Sequence, residues 1–120
     1  MNEIIFGRRL VRALAAAHLP GKRFVVNTAQ NGRPFTFQQF HGNWNDPPAC
    51  ASLSSRRCVT LGIPPTWQVA SPQWGLSRRV RAIAAHLVDA YLWIGRPWLV
   101  NGTWPLDLQR SLQMARTTPF

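Results

Sequence analysis

The residues best suited to acid–base, metal or nucleophilic chemistry are few: Glu3, Asp46, Asp89 and Asp107, the histidines His18, His41 and His86, and the cysteines Cys50 and Cys58. General acid–base catalysis needs two such groups converging on one bond. These acids are scattered, and structural roles suffice for each. Glu3 and Asp107 fall where carboxylates offset helix dipoles, Asp46 lies in a loop, and Asp89 opens a strand. The histidines show no ligand spacing, and the cysteines, separated by seven residues, have no CxxC form. They form either a loop-closing disulfide or two free thiols. With no Ser/His/Asp set and no Gly-rich phosphate loop, the chain is expected to hold no metal or cofactor and to catalyse nothing alone.

The elements that must position these groups follow from periodicity. Glu3 to Ala17 reads as a helix, with Phe6, Leu10 and Leu14 on a buried face and Arg8, Arg9 and Arg12 elsewhere. Leu19-Pro20-Gly21 ends it, and Phe24–Asn27 reads as a buried strand. From Thr28 to Trp74 no period is sustained. That stretch is a long loop whose aromatics favour a packed or ligand-facing role. Ser77 caps a helix through Leu87 with Val80, Ile83, Ala84 and Leu87 inward, and Tyr91–Ile94 follows as a second strand. Pro105 is placed in the first turn of a last helix whose apolar residues are Leu106, Leu108, Leu112 and Met114. Helices alternating with strands define an α/β class.

The chain has 120 residues, six Trp and six Phe, and a hydrophobic content of 46%, which is far from the composition of a disordered chain. Its net charge of +10 comes from thirteen Arg and one Lys against four acids. Such an excess attracts phosphate, but in sequence the basic residues are not gathered on one stripe. Compositional bias is therefore preferred to nucleic-acid binding. No secretion signal and no long apolar run are visible, so the chain as written is expected in the cytoplasm, with no membrane partner.

Three blocks carry a family resemblance. Glu3-Ile4-Ile5-Phe6-Gly7 is similar to E-I-x-Y-G, and Gly21 to Gly32 (GKRFVVNTAQNG) is similar to G-K-H-F-V-V-D-T-S-R-N-G. Val88-Asp89-Ala90-Tyr91-Leu92-Trp93-Ile94 with Pro97 is similar to V-D-A-Y-L-W-I-K-x-P-G-E-S-D-G. Between them, Gly42-Asn43-Trp44 resembles G-D-W-C-N, and Leu61-Gly62-Ile63-Pro64-Pro65-Thr66 resembles A-L-G-x-P-P-T. In order and spacing these blocks resemble the C-terminal part of family 6 of the glycoside hydrolases, the cellulases.

The resemblance implies a portion of a distorted TIM-like (βα) barrel, its last two βα units with long loops, residues 1–120 forming one C-terminal fragment. It implies inverting hydrolysis of β-1,4-glucan, with a general acid upstream of this chain and a base at the position held here by Asn101. An amide takes up no proton at neutral pH, so no catalytic residue is intact. Gly95 and Leu99 stand at sugar-contacting Lys and Glu positions, and Asn27 stands for an Asp. Trp44, Asn31, Asn27 and Trp98 are the substrate-binding candidates, with Trp44 offering an aromatic face to a sugar ring. A family disulfide is lost beside Trp44. The implied partners are a β-glucan oligosaccharide and the rest of the enzyme, which would be secreted. The other readings are a noncatalytic carbohydrate- or partner-binding module, with Trp44, Trp67, Trp74 and Trp98 in a groove, and a basic nucleic-acid-binding protein.

Overall fold

The computed structural model describes residues 2–39, 41–42, 47–95, 99–100 and 103–120. Its elements are α1 (Asn2–Ala16), β1 (Phe24–Asn27), α2 (Arg78–Leu87), β2 (Val88–Leu92), β3 (Leu99–Val100), β4 (Thr103–Leu106) and α3 (Leu108–Thr117). Short 3-10 turns fall at Phe37–Gln39 and Pro72–Trp74. Two compact units divide the chain, one of Met1–Val26 with Pro65–Leu92 and the other of Asn27–Pro64 with Trp93–Phe120.

In the first unit, β1 and β2 pair as parallel strands and α1 packs on α2. The unit's buried side chains are those of Ile4, Val26, Val69, Val80, Ala84, Val88 and Tyr91. The face of α1 that packs is not the expected one. Phe6 and Leu10 are 66% and 46% exposed, whereas Ile4 and Gly7 are buried. The reason is local: a Cβ on Gly7 would stand 2.3 Å from Cζ of Phe24. The Phe24 ring at the start of β1 packs on the bare backbone of Gly7, and Phe6 and Leu10 turn outward. Its end is a Schellman turn, in which Leu19 N–H donates to Leu14 O (2.9 Å), His18 N–H donates to Ala15 O (3.1 Å), and His18 takes φ 63°.

Strand β2 begins at Val88, immediately after α2, and ends at Leu92, so Trp93 and Ile94 belong to the following loop rather than to the strand. Arg23, just before β1, fixes where helix becomes strand. Its guanidinium donates to the carbonyls of His86 and Val88 and pairs with the Asp89 carboxylate. With 41% and 55% of the two side chains exposed, the pair adds little stability, and its value is alignment. Ser77 caps α2 as expected, accepting from Val80 N–H. On the same unit, Thr66 and Tyr91 exchange two backbone hydrogen bonds (2.9 and 3.0 Å), and the Tyr91 hydroxyl donates to Val69 O at 2.9 Å.

The second unit is built from irregular chain tied at many points. Cys50 and Cys58 form a disulfide, and the flanking backbone bridges Ala49 to Val59. Strands β3 and β4 form an antiparallel hairpin. Pro105 and Leu106 lie in β4, not in the last helix. The carboxylate of Asp107 decides this by accepting the Arg110 N–H at 2.8 Å, so the N-cap sits at Asp107 and the helix starts one residue later. Proline is compatible with a two-stranded hairpin, where one edge of each strand is unpaired. Along α3, Met114 and Thr117 are buried while Leu108 and Leu112 are exposed. Thr60, fully buried, donates to Met114 O (2.8 Å) and meets the Thr117 hydroxyl at 3.0 Å, and the Arg110 guanidinium donates to Pro47 O at 2.7 Å.

Burial pushes the Tyr91 phenol from its ordinary 10.0 up to about 12. Above pH 10 the unfolded chain has lost a proton that the folded chain keeps, so stability falls as pH rises from about 10 to 12, by roughly 2–3 kcal/mol. Tyr91 is the only tyrosine. Its phenolate absorbance in the native protein should therefore rise near pH 12, and near 10 in urea, and Tyr91→Phe should abolish the steep alkaline loss. A native midpoint near 10 would show an open phenol. In the second unit, the eight-residue separation of Cys50 and Cys58 gives a chain-entropy contribution of about 2.5 kcal/mol. Urea unfolding of a Cys50→Ser/Cys58→Ser variant should show a loss of that order.

Candidate functional site

In α/β proteins, groups that act on ligands gather where parallel strands end and their loops begin. Here β1 ends at Asn27 and β2 is followed by Trp93, Ile94 and Gly95, and the residues after both strands meet within the second unit. One atom joins them. Asn27 Oδ1 accepts the backbone N–H groups of Ala29 (3.1 Å), Ile94 (3.2 Å) and Gly95 (3.3 Å). The bond to Ala29 is an Asx turn, a local closure that asparagine favours. The bonds to Ile94 and Gly95 span more than sixty residues of sequence and set where the second loop starts.

A second layer holds the segment after Asn27. Gly62 N–H donates to Thr28 O (2.9 Å), Gly32 N–H donates to Thr60 O (3.1 Å), and the Thr28 hydroxyl donates to Ile63 O (2.7 Å). The Trp93 indole N–H shares that Ile63 carbonyl at 3.1 Å. Both glycines are required by contact. A Cβ on Gly32 would stand 2.0 Å from Leu61 O, and one on Gly62 would stand 2.1 Å from Asn31 Oδ1. The Asn31 amide lies over Gly62 and donates weakly to Asn27 O at 3.4 Å.

Beside this layer a cavity of about 320 Å³ is lined by Leu61, Trp93, Leu106, Ser111 and Met114. Its polar groups are already occupied: the Ser111 hydroxyl donates to Asp107 O (2.7 Å) and the Trp93 N–H is taken by Ile63. The walls it presents are apolar, with one aromatic ring. Gly95 is packed against Asn27, where a Cβ would stand 3.0 Å from Asn27 Nδ2. Any side chain at 95 would press on that amide.

Of the substrate-binding candidates, Asn27 and Asn31 are brought together in this one loop cluster, whereas Trp44 and Trp98 lie outside the described residues, as do Asn101, at the implied base position, and Asp46. The described acids are placed for structure. Asp89 is held by Arg23, Asp107 caps α3, and Glu3 lies in the first turn of α1. Among the described residues no group of three or more His, Cys, Asp or Glu side chains is assembled. The cluster can therefore orient a hydroxyl or a water through amides and backbone groups, but the described part of it contains no proton-transfer pair. Sequence reasoning missed Ile63, whose carbonyl joins the loop after β1 to Trp93. The glycine before it was the available signal. No protein-family model, no curated protein and no solved structure matches this chain.

Replacing Asn27 by leucine removes one acceptor from three N–H donors. The exposed position lets water take up part of the loss, so the cost should be about 1–2 kcal/mol in urea unfolding. Asn27→Asp keeps the acceptor and adds charge. Three N–H bonds favour the carboxylate and hold its pKa below the ordinary value, so this variant should be most stable above pH 4–5 and lose that increment on acidification. A variant whose stability is flat across that range would show that the three donors do not act on residue 27.

Proposed function

We propose that this chain is the C-terminal portion of a β-1,4-glucanase of the family 6 type, carrying the last βα units of its barrel and one side of its glucan cleft, without catalytic capacity of its own. The observation that supports this best is the convergence on Asn27. A family-type Asp at this position would receive the same three N–H bonds, and the loop it fixes is the one that carries the family's sugar-contacting and base positions, here Gly95, Leu99 and Asn101. The parallel pairing of β1 with β2 and the placing of helices α1 and α2 before them fit two units of a βα repeat.

The departures fall on the chemistry. Inverting hydrolysis needs a protonated carboxyl and a base on opposite faces of the sugar. With Asn at 27 and 101 and Gly at 95, the cluster keeps hydrogen-bonding capacity and loses charge. The residual activity is binding: amides at Asn27 and Asn31 match sugar hydroxyls, and the tryptophans supply ring faces for pyranose C–H groups. The buried disulfide suits an oxidising compartment, in keeping with a secreted glucanase.

A second reading, a noncatalytic carbohydrate-binding module, is favoured by Trp67. The residue is 78% exposed, an unusual cost for tryptophan unless a ligand covers it. One experiment separates the readings. The purified chain should release no reducing sugar from carboxymethylcellulose, and cellohexaose should shift amide resonances of Asn27–Gly32 and Trp93–Gly95. Shifts confined to Trp67 and its neighbours, abolished by Trp67→Ala, would favour the module instead. Hydrolysis above the level of a Trp44→Ala control would overturn the inactive assignment.

A further inference from the structure

In sequence, Arg8, Arg9 and Arg12 are separated from Arg78, Arg79 and Arg81 by more than sixty residues. The fold removes that separation, because α1 and α2 pack on each other. Six arginines thus belong to one two-helix layer. The unit that contains it holds eight Arg and Lys side chains against the carboxylates of Glu3 and Asp89, a net of +6 of the chain's +10, and Asp89 is already engaged by Arg23.

Two of the six carry a second signal. Arg8 and Arg81 are half-buried, one on each helix, and the Nε–H of each is enclosed without a hydrogen-bond acceptor. A buried donor left unpaired costs free energy, which a turn of the guanidinium toward an incoming acceptor recovers. Arg9, Arg12, Arg78 and Arg79 are exposed and free to reach outward. Beside Arg9 on α1, Phe6 and Leu10 stand open to solvent.

We infer that the α1–α2 layer binds the phosphate backbone of single-stranded nucleic acid. Oxyanions repeated along a chain suit six guanidinium groups better than one isolated anion does, since each phosphate neutralised adds to affinity through counterion release. An exposed phenyl ring among arginines is what an unstacked base requires, and a duplex offers no such base face. An anionic membrane would attract the same charge but would bury a broad apolar face. On α1, Ile4 and Gly7 are buried and Ile5, Val11 and Leu14 are half-buried, which leaves Phe6 and Leu10 as its exposed large apolar side chains, a narrow face for lipid. This site is separate from the glucan reading and stands or falls without it.

The test is fluorescence anisotropy with the whole chain and a labelled mixed-sequence single strand of DNA, titrated across a salt series. If each of the six arginines neutralises one phosphate, the logarithm of affinity should fall with the logarithm of salt with a slope near 4. Arg9→Ala/Arg12→Ala should lower that slope by about one to one and a half, while Arg56→Ala/Arg116→Ala, the same loss of charge on the other unit, should leave it unchanged. Phe6→Ala should weaken binding several-fold at constant slope. All five positions are exposed, and circular dichroism verifies that each variant is folded. Absence of binding, equal losses in the two double variants, or a preference for phosphatidylglycerol vesicles over the strand would overturn the inference.

Discussion

One side-chain oxygen, Oδ1 of Asn27, fixes the loop cluster on which the candidate site depends. It closes the turn after β1 through Ala29 and captures two successive backbone donors in the loop after β2, at Ile94 and Gly95. Residues distant in sequence thereby share one acceptor. Such an atom tolerates few replacements: it must accept, it must be short enough to reach its own i+2 amide, and it must not exclude Gly95, whose missing side chain leaves room for the amide. Asparagine and aspartate meet these conditions best, serine and threonine making the same local turn more weakly, and the choice between the first two is a choice between orientation and charge.

That choice is consistent with how the other ionisable groups are used. Asp107 accepts a helix N–H, Asp89 aligns the start of β2 through Arg23, and the phenol of Tyr91 is spent on the carbonyl of Val69. Each is committed to holding the chain in place. The scarcity of acids in a chain of thirteen arginines leaves none to spare among the described residues for a proton-transfer pair. The glucan-binding role proposed above would use what remains, namely amides, carbonyls and indole rings.

Much of the regular structure was legible from local rules. The Ser77 cap, the helix through Leu87 and the position of the strand at Phe24–Asn27 follow from capping and apolar patterning, which act over a few residues, although β1 is buried on one face only, with Val26 inward and Val25 exposed. What was not legible depended on contacts across the chain. The inward face of α1 was set by Gly7 meeting Phe24, so a hydrophobic pattern that weighed Phe6 and Leu10 most heavily pointed the helix the wrong way. The start of β2 at Val88 depended on Arg23, more than sixty residues earlier. At Pro105 two local signals competed, proline at a first helical turn against aspartate at an N-cap, and the hydrogen bond from Arg110 decided for Asp107. For the site, the family resemblance of the Gly21–Gly32 block pointed to Asn27 and Asn31, but the role of Ile63 lay in a backbone carbonyl, which no side-chain pattern encodes.

The same logic explains why the basic residues looked dispersed. Charge patterning along a sequence measures neighbours one helix at a time, and three arginines per helix are ordinary for a solvated face. Packing α1 on α2 doubles the local density of charge without changing either sequence. Arg8 and Arg81 then lose part of their hydration while their Nε donors gain no protein acceptor, a cost that ordinary surface arginines avoid by staying in water. A fold that keeps both in that condition gives up stability at the helix layer, and an oxyanion arriving there would recover it. Affinity for phosphate at this surface is thus a consequence of how the helices pack, where net charge alone would give only a diffuse attraction.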